Sequence, residues 1–359
     1  MGRGDKAWTA LRAVTDRILG VADDITVALV ANSKGAVSSD PGDRSTEYLS
    51  DGEANQLLTG LRSAGFRTRY FDGERAFIEQ TLTDPTLGTH GPRLLVYNIA
   101  QSGTDAGRKS LVPAFCALQG IATCNSNAYV VSLARNKLHV HSILKRFGLS
   151  VPDSWSYQAG SGWLLGRRPS GDATLIAKAI HESASIGLDG DSIGRAGAEY
   201  ETMLARKSRT LRQAMFVQRL VAGREMETPV VRVGGQVHVL GPAIVTLGGT
   251  DHLGSRILDY DSVAHDDYGY AVPGPAEAPV VAKVRRVAAA AYETLGLEGF
   301  ARVDFRVDDA GRPFVIDVAT SPHLVWHSAY AHVFRAAGWG HEEMLACMVA
   351  VNARRLGWI

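Results

Sequence analysis

Short apolar runs alternate with helix-spaced stripes over the first third of the chain. Residues 25–30 (ITVALV) form an unbroken apolar run of strand length. Ala54, Leu57, Leu58 and Leu61 recur at helical spacing within residues 53–63, and Gly65 follows as a stop signal. Strands are expected again at 67–71 and 93–97 (RLLVY), then a polar loop, NIAQSGTDAGRKS, and a helix over 110–118. Residues 32–45, rich in Gly, Ser, Asp and Lys, read as a long polar loop. This strand–loop–helix order predicts a small doubly wound α/β lobe.

The pattern changes after an amphipathic helix at 136–147, which Gly148 stops. Strands are expected at 175–179, 215–219, 228–233 and 236–240, with Gly234-Gly235 as a two-residue hairpin turn. A helix over 279–295 carries Val280, Val284, Val287, Ala288, Ala291 and Leu295 on one stripe. Strands at 301–307 and 313–318 follow, joined by the turn Asp308-Asp309-Ala310-Gly311. This half reads as antiparallel α+β. With 359 residues the chain is long enough for two or three packed lobes.

Composition narrows the function classes. Lys and Arg total 38 against 37 Asp and Glu, so no basic field gathers nucleic acid or an anionic membrane. The start, MGRGDKAWTALRAV, lacks the apolar core of a secretory signal, and no apolar run reaches membrane-spanning length. Cys116, Cys124 and Cys347 have no metal-ligand spacing, which points to a reducing compartment. A cytoplasmic protein is expected.

Three segments carry candidate chemistry. In GFARVDFRVDDAGRPFVIDVATSPH, residues 299–323, strand alternation puts Arg302 and Asp304 on one face, with Asp317 opposite on the partner strand. Two carboxylates on a sheet suit Mg²⁺ shared with phosphates, and an adjacent arginine suits a developing oxyanion. In TLIAKAIHESASIGL, Lys178 ends a strand before a loop of small polar residues able to approach phosphate oxygens. In FVQRLVAGRE, an apolar strand leads to Glu225, which could hold ribose hydroxyls. Taken singly, the first segment is as compatible with a surface hairpin, and the lysine and glutamate more often read as solvated surface residues.

Their order is more specific. A lysine helix, a lysine strand with its small-residue loop, a strand ending in Gly-Arg-Glu, and an Arg-x-Asp hairpin with a second acid together resemble the ATP-grasp superfamily, and within it the D-alanine–D-alanine ligases. The resemblance implies a three-lobed fold of mixed α/β and α+β class: an N-terminal α/β lobe (1–130), a central ATP-grasp subdomain (131–222) and a C-terminal catalytic subdomain (223–359). It implies ATP and Mg²⁺ as cofactors, with Lys137, Lys178, Ser183, Gln218, Leu220 and Glu225 around the nucleotide. Asp304 and Asp317 match the metal ligands, Arg302 the oxyanion-stabilising arginine, and Ser185 the phosphate-covering loop. Glu47, Gln101 and Ser328 match positions that hold the substrates. Small-molecule carboxylate and amine partners follow, with neither nucleic acid nor membrane, and a homodimer is the commonest symmetric assembly.

The chain also departs from that family's pattern. Ala319 stands where a metal-ligating asparagine is usual, His323 where a glycine is usual, and Gln101 where a histidine is usual. The lid motif Tyr-x-Ala-Lys-Tyr has no match in ILDYDSVAHDDYGY, residues 257–270, which lacks the lysine. His323 is expected to enter the acceptor site. The expected reaction is amide formation through an acyl phosphate on a substrate pair other than that of cell-wall D-alanine–D-alanine ligation. Two alternatives stand beside it: phosphorylation of an enol or ketone oxygen before amine attack, and a non-catalytic nucleotide-binding relative.

Overall fold

The computed structural model describes residues 3–35, 44–87 and 93–359. The middle of the polar loop expected at 32–45 lies outside these residues. Among the described residues the strands form three sheets.

The first sheet is parallel and four-stranded. It comprises β1 (Ile25–Ala31), β2 (Arg67–Asp72), β3 (Arg93–Asn98) and β4 (Ala122–Thr123), in the order β2-β1-β3-β4. β1 is buried along its whole length, which explains its unbroken apolar run. The helix Asp51–Ser63 starts two residues earlier than its stripe suggested, because Ser50 and Glu53 form a reciprocal capping box. Its last turn is followed by Gly65 at φ 92°.

The second sheet comprises β5 (Ser154–Gln158), β6 (Gly162–Trp163), β7 (Thr174–Ala179), β8 (Ile193–Arg195) and β9 (Met215–Arg219), in the order β6-β5-β9-β7-β8. Its strands pair antiparallel. The third comprises β10 (Arg224–Val233), β11 (Gln236–Val239), β12 (Ala243–Thr246), β13 (Gly269–Ala271), β14 (Phe300–Val307) and β15 (Pro313–Ala319). Its order is β13-β12-β10-β14-β15, with β11 paired to β10. The β10–β11 hairpin closes through Gly234 and Gly235, at φ 56° and 83°, the double left-handed turn that suits a right-twisted ribbon. β10 begins at Arg224, four residues before its expected start, because it pairs with β14 along its whole inner face.

Packing joins the outer lobes more closely than the central one. Helix Arg3–Leu19, which sequence reading passed over, lies along the C-terminal helix His341–Arg355. Leu11, Ile18, Leu29 and Leu57 share one core with Tyr330, Phe334, Met348 and Val351. Trp8 meets Phe334 edge-on at 5.1 Å between ring centroids. The central sheet instead keeps its own core, of Leu175, Ala177, Leu204, Met215 and Val217. Helix Lys137–Arg146 packs against β5 and β15, so it bridges the central and C-terminal sheets. No helix among the described residues is long and apolar enough to cross a membrane.

Candidate active site

A cavity of about 230 Å³ opens where the three sheets converge. Every residue singled out in the sequence for a site role lines it: Glu47, Gln101, Lys137, Lys178, Ser183, Ser185, Gln218, Leu220, Glu225, Arg302, Asp304, Asp317, His323 and Ser328. The architecture makes this convergence. β10, β14 and β15 are neighbours, and their register sets Glu227 beside Asp304 and Asp304 beside Asp317. Arg302 sits one step along β14 on the same face, beside Pro229 and Ala319.

At one end the wall belongs to the central sheet. Ile176, Leu188 and Leu220 supply apolar surface, and Gln218 lies buried among them. Among the described residues the Gln218 Oε1 has no hydrogen-bond donor, so this end offers an acceptor that an exocyclic amino group would satisfy. Lys178, on the neighbouring strand β7, faces Glu225 and Asp317 without reaching ion-pair distance of either. Burial lowers its pKa, with Lys137 and Arg306 adding to the effect. Lys137 is held by the Glu182 carbonyl and lies 3.7 Å from Asp317. Glu225 is paired with Arg306 at 3.3 Å.

The floor carries a tighter charge group. Arg302 donates from Nε and Nη2 to the two Asp304 oxygens, both at 2.8 Å, and pairs through Nη1 with Glu227 at 2.8 Å. A guanidinium has five N–H donors, so two remain for a substrate. Tyr270 donates to Glu227 at 2.9 Å. Burial pushes the pKa of both Glu227 and Asp304 upward, and Arg302 opposes the shift. For Asp317 burial also acts upward, but Lys137 and Lys178 prevail and hold it below the ordinary carboxylate value.

The opposite end belongs to the first lobe. Glu47 is fully buried and takes hydrogen bonds from Arg108 and Arg135 and from both the backbone N–H and the hydroxyl of Ser183. Arg108 also pairs with Glu182 at 2.6 Å, and Arg44 joins at 3.3 Å. Burial alone would raise the Glu47 pKa; the two arginines and Ser183 reverse this and bring it to about 2. Glu47 thus ties the small-residue loop after β7 to the first lobe. The Ser185 hydroxyl donates to the Leu258 carbonyl at 2.7 Å, so both loop hydroxyls are engaged between segments. Ala184 and Ser185 take left-handed φ values of 47° and 57°, which turn the loop sharply here.

His323 is half-buried and lines the cavity. Burial, then Lys109 and Arg302, lower its pKa to about 4, so its imidazole is neutral at neutral pH. Ser328 caps the helix Ala329–Ala336, accepting from Ala331 N–H at 3.2 Å, and its own hydroxyl proton stays free to donate.

Residues 174–350 match the family model for the C-terminus of D-ala D-ala ligase. The D-alanine–D-alanine ligase of Ralstonia pickettii (strain 12J) is 27% identical over 323 residues, spanning 89% of this chain and 91% of that protein. Among solved structures, the D-alanine–D-alanine ligase from Bacillus anthracis complexed with ATP aligns at a TM-score of 0.64 and 17% identity. That alignment spans 93% of this chain and 99% of the other. The VanG D-Ala:D-Ser ligase from Enterococcus faecalis aligns at 0.65 and 15%, over 91% and 99%. The chain has the fold of these ligases, and its C-terminal half resembles theirs in sequence.

The ligase site contains residues that its motifs did not reveal. Glu227 had a readable signal, since it alternates with Glu225 on β10 and so must share its face. Glu182 and Lys109 had none, because both lie in irregular segments whose facing is set by tertiary contacts. Among the described residues no group of three or more His, Cys, Asp or Glu is arranged to hold a metal alone. Asp304 and Asp317 lie side by side across β14 and β15, with both Asp304 oxygens already accepting from Arg302, so this oxygen pair could serve Mg²⁺ only with further oxygen ligands from phosphate and water.

Proposed function

We propose that the chain is an ATP-dependent carboxylate–amine ligase that forms an amide through an acyl phosphate, releasing ADP and phosphate. The observation that carries this reading is one cavity joining a nucleotide-type end to a charged floor. Lys137, Lys178, Gln218, Leu220 and Glu225 form the first; Arg302, Asp304 and Asp317 form the second.

On this reading Gln218 accepts from the adenine amino group and Glu225 from the ribose. Lys137 and Lys178 face the polyphosphate. Asp304 and Asp317 would hold Mg²⁺, which neutralises phosphate charge when bound. One substrate's carboxylate oxygen attacks the γ-phosphorus, and the bond to the ADP oxygen breaks. The second substrate's amine then attacks the acyl carbon, and phosphate leaves as the amide forms. The two free N–H donors of Arg302 steady the tetrahedral oxyanion between these events. Such a site works by positioning and electrostatics. Neutral His323 beside the reacting centre can accept the amine's proton or narrow the acceptor pocket.

The substrate pair is proposed to differ from D-alanine with D-alanine. His323 adds bulk, Val263 lines the cavity in a lid segment without a lysine, and Ala319 removes an oxygen ligand. Incubating the protein with ATP, Mg²⁺ and paired amino acids, with products read by mass, tests this. Efficient D-alanyl-D-alanine synthesis above all other pairs would overturn the specificity reading and leave the ligase reading intact.

A further inference from the structure

The cavity contains carboxylates and cations in close balance, and most of them are already paired. Arg302 is bound by Asp304 and Glu227, Arg306 by Glu225, Lys137 by Asp317, and Arg108 and Arg135 by Glu47 and Glu182. Lys178 is accounted for by the polyphosphate. Lys109 is not accounted for. It is 9% exposed, its side chain lines the cavity, and no hydrogen bond or ion pair reaches its ammonium among the described residues. The ammonium opens onto the cavity, where an anionic group would neutralise it at little further desolvation cost.

Its position is fixed by its surroundings. Lys109 lies in the turn Arg108–Ser110, whose backbone is held from several sides. Asn98 donates to the Lys109 carbonyl at 3.3 Å, and Arg108 Nε to the Gln101 carbonyl at 3.0 Å. Gln101 N–H donates to Asn32 at 2.8 Å and Ser102 N–H to Glu74 at 2.6 Å. Gln101 of the same loop also lines the cavity, and its Oε1 is buried without a donor among the described residues. The ammonium therefore stands in a rigid wall, beside an amide that also lacks its partner.

We infer that Lys109 is a specificity residue that binds a second anionic group, a carboxylate, on the substrate seated against the first lobe. The reacting carboxylate belongs at Arg302 and the metal-ligand aspartates. Lys109 lines the first-lobe wall of the same cavity, where the charges of Arg135, Glu47, Arg108 and Asp317 all act on it. The accepted substrate is thus acidic, carrying one carboxylate for the reaction and another for Lys109. Gln101 Oε1 is placed to take an N–H of the same molecule. This inference deepens the ligase reading and rests on it for the assignment of the two ends.

The test is direct binding, so it does not depend on turnover. The protein is loaded with Mg²⁺ and a non-hydrolysable ATP analogue and titrated calorimetrically with glutamate, aspartate and glutarate, each in parallel with a neutral amide counterpart. At least one acid should bind at least tenfold more tightly than its amide. Lys109→Met should erase that preference while leaving the nucleotide analogue's affinity unchanged, and Lys109→Arg should keep part of it. Absence of any acid preference in the wild-type protein overturns the inference, as does full preference in Lys109→Met. Should Lys109→Met fail to fold, the wild-type preference and the Lys109→Arg result still decide. ADP release is measured separately: acid-selective binding without ADP release would remove the ligase reading and leave Lys109 as an acid-binding residue.

Discussion

At the residue scale, the site turns on which charges are already neutralised. Among the described residues Lys178 has no partner within ion-pair distance, although Asp317 and Glu225 influence it. Lys178→Ala should nearly abolish turnover and weaken ATP binding, with a loss of ~2–4 kcal/mol in transition-state stabilisation. Steady-state kinetics against ATP checks this, and an unchanged Michaelis constant with wild-type turnover would refute the role. Ala319 sits beside Arg302 on the cavity face of β15, where its methyl group offers nothing to a cation. Asp304→Asn should therefore raise the Mg²⁺ concentration needed for half-maximal activity, and Ala319→Asn should lower it. A Mg²⁺ titration in which both variants coincide with wild type would remove the aspartates from the metal's donor set. Much of this residue-level picture was legible, because Arg302, Asp304 and Asp317 lie on strands whose two-residue period fixes their facing. Lys109 and Glu182 were not, since no period governs a turn.

At the element scale, strand pairing sets the site's geometry and one glycine guards it. Gly223 links β9 to β10 at φ 138°, and a β-carbon there would fall 2.0 Å from the Val307 carbonyl oxygen at the end of β14. Gly223→Ala must displace β14 or the link, at a cost of at least about 2 kcal/mol. A urea midpoint equal to wild type would show that the approach is looser than this. The sequence showed the Gly234-Gly235 hairpin and nine strands, but it missed β4, β5, β6, β8, β12 and β13 and placed the β10 start too late. The segment up to Glu225 read as a turn, and only pairing with β14 draws residues 224–227 into the sheet. The helix Arg3–Leu19 carried a readable stripe in Ala7, Leu11, Val14 and Ile18. A reading that asks only whether such a segment is a leader passes over it.

At the scale of the whole molecule, apolar packing fuses the first and third lobes, whereas buried ions fasten the central loop to the first lobe. Long-range fusion of this kind has no local sequence signature. Arg108→Met would leave Glu47 and Glu182 short of one guanidinium in a buried group. A loss of about 3 kcal/mol is expected, near the low end for a broken buried pair because Arg135 and Arg44 remain. The Glu47 carboxylate, held at about 2 against an ordinary 4.5, contributes stability above about pH 4.5. That contribution is lost as pH falls toward 2. Stability of Glu47→Gln should thus vary less between pH 5 and 2 than that of wild type, as read by denaturant unfolding at each pH. Parallel curves would mean that the network carries no linkage.

The central claim is that carboxylate activation by ATP and amide formation occur in this one cavity. The most direct measurement supplies ATP, Mg²⁺ and an acid labelled with ¹⁸O in its carboxylate, together with an amine, and follows the label by mass spectrometry. An acyl-phosphate ligase yields one ADP per amide and carries one ¹⁸O from the acid into the released phosphate. ADP formation with unlabelled phosphate, or an amide-free product, would contradict the account.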